Sequence, residues 1–404
     1  MLRRLLSVLS ALLLVASSAG AGPDAPGDPK VIKIVSSLPR TGSAKAQTDT
    51  IVNGIQMALE EAGWKAGEFT LEYEDLDDAT AAEGKWTPEK EAANAEQAIK
   101  DPDVMVYIGT YNSGAAKVSI PKLNLAGLLM VSPANTWPGL TKPGKGEQGE
   151  PEKYRPSGKV NYLRVVPADD IQGVVGADWA KALGCTKVFI LDDREVYGKG
   201  IADLFKAHAE EIGLTVLGQE GIDSNAQEFK PLMTKIKALA PDLIYFGGTT
   251  QTKAGQIAKD LLAVGMTAKL MVPDGCFEDA FIESAGAANL NDRCFLTFGG
   301  LPPEKLTGKG KEFVDKYTKK HGKMPEGYAV YGYEATQVAI EAIRRAGKKD
   351  RDAIRAACLS IKDFDGALGK WSFDKNGDTS NRTMSGNTVK AGKFEFVTVL
   401  GEEE

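Results

Sequence analysis

Histidine and cysteine are scarce in this chain, at two and four residues in 404. His208 falls in a helix-patterned stretch and His321 precedes Gly322 in a polar segment. Neither ends a strand, so both read as surface residues, and no base is placed beside a nucleophile. G-x-S-x-G, a Walker loop and H-E-x-x-H are all missing, which leaves the common hydrolase, phosphate-loop and zinc-protease chemistries without a motif. The four cysteines, at 185, 276, 294 and 358, form no C-x-x-C pair and match no zinc spacing. Positive charge is also short: the formal net charge is −6, which gives no basic footprint and argues against nucleic acid as a partner.

Some near-motifs fail on inspection. Gly144 to Gly149 reads formally as G-x-G-x-x-G, but no strand precedes it and no helix follows, so it is not a dinucleotide fingerprint. Asp374, Asn376 and Asp378 begin like a calcium loop, yet Thr379 and Ser385 stand where Gly and Glu are needed. The acid pairs Asp77-Asp78 and Asp192-Asp193 follow strands, where turn capping explains them better than acid–base catalysis. The sequence implies no enzyme, no cofactor and no metal.

What is present begins at the N-terminus. Arg3 and Arg4, an apolar run from Leu5 to Ala16, and Ala19-Gly20-Ala21 make a secretory signal over 1–21. The run is too short to span a membrane, and no later segment is apolar enough. No cysteine ends the signal, so a lipid anchor is not supported. Cleavage would remove two cations and take the charge from −6 to −8. Export permits disulfides; three full pairings are possible, and proximity in sequence favours Cys276–Cys294.

After a leader at 22–29, strand and helix patterns alternate along the chain, which defines an α/β fold with mostly parallel sheets. Strands are expected at Val31–Ser36, Phe69–Tyr73, Val104–Ile108 and Leu128–Val131, then at Lys187–Leu191, Thr215–Gly218, Leu243–Phe246, Lys269–Val272 and Cys294–Phe298. Lys370–Phe373 and Phe394–Leu400 close the series. The Gly-, Pro-, Lys- and Glu-rich stretch Trp137–Lys159 reads as a surface loop or hairpin.

The stretch Val104–Ala116, VMVYIGTYNSGAA, concentrates the binding signal. A buried strand runs into a polar turn and then a helix whose N-cap is Asn112 or Ser113, a natural seat for a carboxylate. Ser113 could equally do no more than cap its own helix. Other strand ends carry Ser132–Thr136, Asp192–Tyr197, Thr249 and Asp274, and open α/β sheets bind ligands beyond such ends.

Seven segments in order, YIGTYNSGAA, LLMVSPANTWPGLT, YLRVVPADDIQG, VFILDDREVYGKG, LIYFGGTTQTKAGQIAKDL, VPDGCFEDAFIESAG and YAVYGYEA, span nearly the whole chain. With them the chain resembles the periplasmic leucine/isoleucine/valine-binding protein family, the solute receptors of ABC transporters with a type I periplasmic binding fold. The resemblance implies two Rossmann-like lobes with parallel sheets, joined by three hinge crossovers near Leu163–Pro167, Thr297–Leu301 and Phe364–Gly369. Lobe one would comprise 30–164 and 300–364, and lobe two 165–299 and 365–404.

It further implies that Ser113, Thr136 and the backbone at Ala134 hold a ligand carboxylate, that Asp274 holds its ammonium and that Tyr197 forms an aromatic wall. Departures lie at Thr249, which stands for a family Tyr, at Asp274, which stands for Glu, and at Tyr111 and Asn112, which replace an apolar residue and a disulfide Cys. They point to a more polar or roomier side-chain end. The function implied is an exported, monomeric receptor that delivers an amino acid or related small carboxylate to a membrane permease. The alternative is a sensor of amides, urea or aromatic acids that signals to a membrane receptor.

Overall fold

The computed structural model describes residues 28–401; the expected signal, 1–21, lies outside them. Two sheets organise the chain. The first is built from β1 (Val31–Leu38), β2 (Lys65–Ala66), β3 (Phe69–Asp77), β4 (Val104–Gly109), β5 (Leu129–Ser132) and β6 (Tyr162–Arg164), interleaved with α1 (Lys45–Glu61), α2 (Pro88–Lys100) and α3 (Ser113–Leu125). Its order is β2-β3-β1-β4-β5-β6, parallel except for the β2–β3 pair. Every residue of β4 and β5 is buried, as expected for apolar strands covered on both faces. Thr87 starts α2 by accepting the Lys90 N–H, with Pro88 in the first turn.

The second sheet follows through α4 (Asp169–Ala182), β7 (Lys187–Asp192), α5 (Val196–Glu211), β8 (Thr215–Gly221), α6 (Lys230–Lys237), β9 (Leu243–Gly247), α7 (Ala254–Ala263), β10 (Lys269–Val272), α8 (Asp279–Ala285) and β11 (Cys294–Gly299). The chain then returns to the first sheet with α9 (Gly308–His321), α10 (Ala329–Ala346) and α11 (Arg351–Leu359); α10 packs on α1, β4 and β5. A hairpin, β12 (Phe364–Gly366) with β13 (Gly369–Trp371), is tied to α10: the Trp371 indole N–H and the Ala367 N–H donate to Glu334 at 2.6 and 2.8 Å. Last, β14 (Met384–Lys390) and β15 (Lys393–Leu400) add an antiparallel edge to β11. None of the described helices is long and apolar enough to cross a membrane.

Two expectations need correction. The four cysteines are buried and unpaired, including Cys276 and Cys294. In the parallel pair β10–β11, Leu270 is opposite Cys294, so Cys276 lies past one end of the pair and Cys294 at the other. The two thiols stay unbonded, although near enough for Cys294 to help burial raise the Cys276 thiol.

Residues 137–159 are neither a plain surface loop nor a hairpin. They fold through short 3₁₀ turns at Pro138–Leu140 and Glu152–Tyr154 around the buried Glu150. Its carboxylate accepts from the Trp137 indole at 2.9 Å and the Tyr154 hydroxyl at 2.5 Å, and pairs with Lys117 at 2.9 Å. Burial opposes its charge, but these donors prevail and pull its pKa down to about 2. Thus anchored, Trp137 lies on α5, where a Cβ on Gly200 would come within 2.4 Å of the indole. Only glycine admits that contact between the lobes.

Arg164, at the end of β6, is completely buried. Its Nε donates to Asp378 at 2.6 Å and its Nη1 to the Asn135 and Trp137 carbonyls at 3.2 and 2.8 Å, while Nη2 donates to Thr141. Removing one partner of a buried pair leaves the other charge uncompensated. Asp378→Ala should therefore lower the unfolding free energy by about 3–5 kcal/mol, read from urea denaturation. A loss like that of an exposed acid would show that the pair is dispensable.

Candidate ligand-binding site

Helix α3 points its N-terminus at the space between the sheets. Asn112 is its N-cap in extended conformation, and its side chain makes no capping hydrogen bond. The first-turn N–H groups have no acceptor within a helix, so they remain available to an anion, favoured there by the helix dipole. Ser113 is buried, and its hydroxyl accepts the Trp137 N–H at 3.4 Å. Ser113 is the first residue of α3, and the N-cap position falls to Asn112.

The opposite wall comes from the second sheet. Asp274, just past β10, is 2% exposed. Its Oδ1 accepts from the Tyr197 hydroxyl at 2.6 Å and from Gln172 Nε2 at 2.8 Å, and its Oδ2 accepts from the Tyr328 hydroxyl. Burial raises its pKa, against the lowering pull of those donors. The Tyr328 ring is edge-on to Tyr111, with centroids 6.2 Å apart. Tyr197 comes from α5 and Thr249 from the turn after β9. Carboxyl ends of both sheets thus face one another.

Of the eight residues singled out in the sequence, Tyr111, Asn112, Ser113, Ala134, Tyr197, Thr249 and Asp274 line one small cavity, of about 20 Å³. Thr136 is not in that lining, although its hydroxyl is buried and has no partner. The cavity shares Asn112, Ser113, Tyr197 and Thr249 with a larger chamber of about 390 Å³ that reaches Trp86 and Asp193. Lys85 and Glu195 pair at 3.6 Å in its wall.

Sequence reasoning missed Tyr328 and Gln172, the cage around Asp274. Both lie inside quoted segments, YAVYGYEA and YLRVVPADDIQG, but nothing local marks a tyrosine before a helix as a carboxylate's donor. Trp86 was missed as well. A Cβ on Gly114 would lie 2.7 Å from its ring, so the glycine after Ser113 lets the indole cover the helix N-terminus.

Two facing α/β lobes with a concave site between their strand ends define a cleft-type ligand-binding protein. A periplasmic binding protein family profile matches residues 31–393, and the chain belongs to that family. A Brucella abortus Leu/Ile/Val-binding protein homologue is 31% identical over 350 residues, covering 85% of this chain and 86% of its own. A Pseudomonas aeruginosa amino acid binding protein is 29% identical over 344 residues, covering 84% and 85%. The crystal structure of a leucine-binding protein from Thermotoga maritima superposes with a TM-score of 0.81 at 28% identity, over 91% of this chain and 98% of that one. A benzoate-bound solute-binding protein of R. palustris shares the fold, with a TM-score of 0.77 at 19% identity over 93% and 98%.

Buried acids predict a pH dependence. Burial is the main cause that raises Asp193, Glu91 and Glu334 to about 7 and Glu278 to about 8, from ordinary values of 3.8 for Asp and 4.5 for Glu. Between those limits the folded protein binds more protons than the unfolded chain, so stability falls as pH rises. Glu150, lowered to about 2, contributes no slope there. The ligand-free protein should melt higher at pH 5 than at pH 8 in scanning calorimetry; the reverse order would mean that these acids are ionised in the fold.

Proposed function

We propose that this chain is an exported, monomeric solute receptor that captures an α-amino acid between its lobes and presents it, unchanged, to an ABC permease. The observation that carries the reading is one cleft site with two unlike ends. Ser113 and the free N-terminus of α3 suit a carboxylate, while the buried Asp274 carboxylate suits an ammonium. A carboxylate offers about four acceptor positions, so the three donors on Asp274 leave one for a ligand N–H. The unpartnered hydroxyl of Thr136 would turn to the ligand carboxylate together with the Ala134 backbone. Relatives named for leucine, isoleucine and valine or for amino acids support the same reading.

In this proposal the lobes close by hinge bending about three crossings. Two follow β6 and β11. The third lies between Phe373 and Met384, later than the expected 364–369, because the β12–β13 hairpin is tied to α10 and the chain enters the second sheet only at β14. Lobe two would then resume at about Met384 instead of residue 365.

Asp274→Ala should weaken α-amino-acid binding by about 3 kcal/mol, and Ser113→Ala by about 1–3 kcal/mol, both by titration calorimetry on the chain without its signal. Aromatic acids and other ligands that lack an ammonium should lose little in the Asp274 variant. Unchanged amino-acid affinity in both variants would sink the assignment.

A further inference from the structure

The inner cavity, at about 20 Å³, has little more than a water's room, whereas the chamber it opens into holds about 390 Å³. If the cleft takes an α-amino acid, as proposed above, the ligand's side chain must run outward into that chamber. The Trp86 indole gives it a flat apolar wall on the first lobe. Beyond the indole the second lobe presents acceptors. Asp193 is 5% exposed, and its two oxygens take only the Glu195 N–H at 2.9 Å and the Thr252 hydroxyl at 2.8 Å. No Lys or Arg among the described residues pairs with it. Gln251 sends its N–H to Glu278 at 3.0 Å, and its carbonyl oxygen is buried with no donor at all.

Both acceptors are already largely withdrawn from water; a branched aliphatic side chain would leave them unanswered, and each unanswered buried polar group is destabilising. A cationic group on an alkyl stem would answer both, with the stem along the Trp86 ring and the N–H donors on Asp193 and Gln251. Lys85 does not compete for Asp193 in this structure, since it pairs with Glu195. Lys253 is the other cation in the wall, and it would favour an acidic side chain instead. We infer that the chamber selects an amino acid whose side chain ends in an ammonium or guanidinium, with Asp193 as the counter-charge and Gln251 as a second acceptor.

The test is titration calorimetry of the full chain without its signal against arginine, lysine, leucine and glutamate. Arginine or lysine should bind about tenfold or more tighter than leucine and glutamate. Asp193→Asn, and separately Gln251→Leu, should each shrink the ratio of basic to leucine affinity, the former by about tenfold. The ranking in the unaltered protein decides even if a variant fails to fold. Leucine or glutamate binding tightest, or a ratio indifferent to Asp193→Asn, overturns this inference and leaves the receptor proposal intact. Binding of none of the four, in a protein that melts cooperatively, overturns both.

Discussion

The buried guanidinium of Arg164 is the constraint on which the geometry of the cleft depends. It sits at the carboxyl end of the last strand of the first sheet, where the chain leaves for the second. With one side chain it holds the carbonyls of Asn135 and Trp137, the Thr141 hydroxyl and the Asp378 carboxylate. These partners come from the loop that carries Ala134 and Thr136 and from the segment that leads to β14. Arginine suits the position because its planar fork can serve several acceptors at once and stays charged when desolvated. A lysine would supply one point charge and could not span them.

The site is built by a second use of burial, on carboxylates. Asp274, Asp169 and Asp193 all stand near the cleft, and burial raises each of them above the ordinary aspartate range. Among the described residues none of the three pairs with a cation of the protein. Such groups are costly in a structural core, but they are useful in a receptor, where a ligand's own cation can supply the missing charge. Tyr197, Tyr328 and Gln172 keep Asp274 oriented without neutralising it. In the proposed reading, hydrogen bonding without charge compensation leaves that carboxylate open to a ligand's cation.

The segment 137–159 illustrates how composition can mislead. Its glycines, prolines and charges describe a solvated loop, and several of its residues are exposed. What changes its character is Glu150, buried beneath Lys117 and Lys153 and bonded to Trp137 and Tyr154. Lys117 lies on α3, so the loop folds against the helix whose N-terminus opens into the site. Trp137 then reaches across to Gly200 on the other lobe. No local pattern announces such a contact, because its two halves are far apart in sequence.

The sequence by itself determined the alternation of apolar strands with amphipathic helices, and hence the parallel α/β lobes. Strands such as Val104–Ile108 and Leu243–Phe246 are legible because burial on both faces demands continuous apolar residues. β14 escaped because its buried Ser385 and Asn387 are polar, and their burial depends on what packs around them. That Ser113, Tyr197, Thr249 and Asp274 line one cavity was legible from their positions after strands, which is where open sheets bind ligands. The donors on Asp274, the roof of Trp86 over Gly114 and the unbonded state of Cys276 and Cys294 were decided only by the tertiary structure. Each depends on which distant segments meet when the sheets assemble, and pairings of that kind leave no mark on the residues nearby.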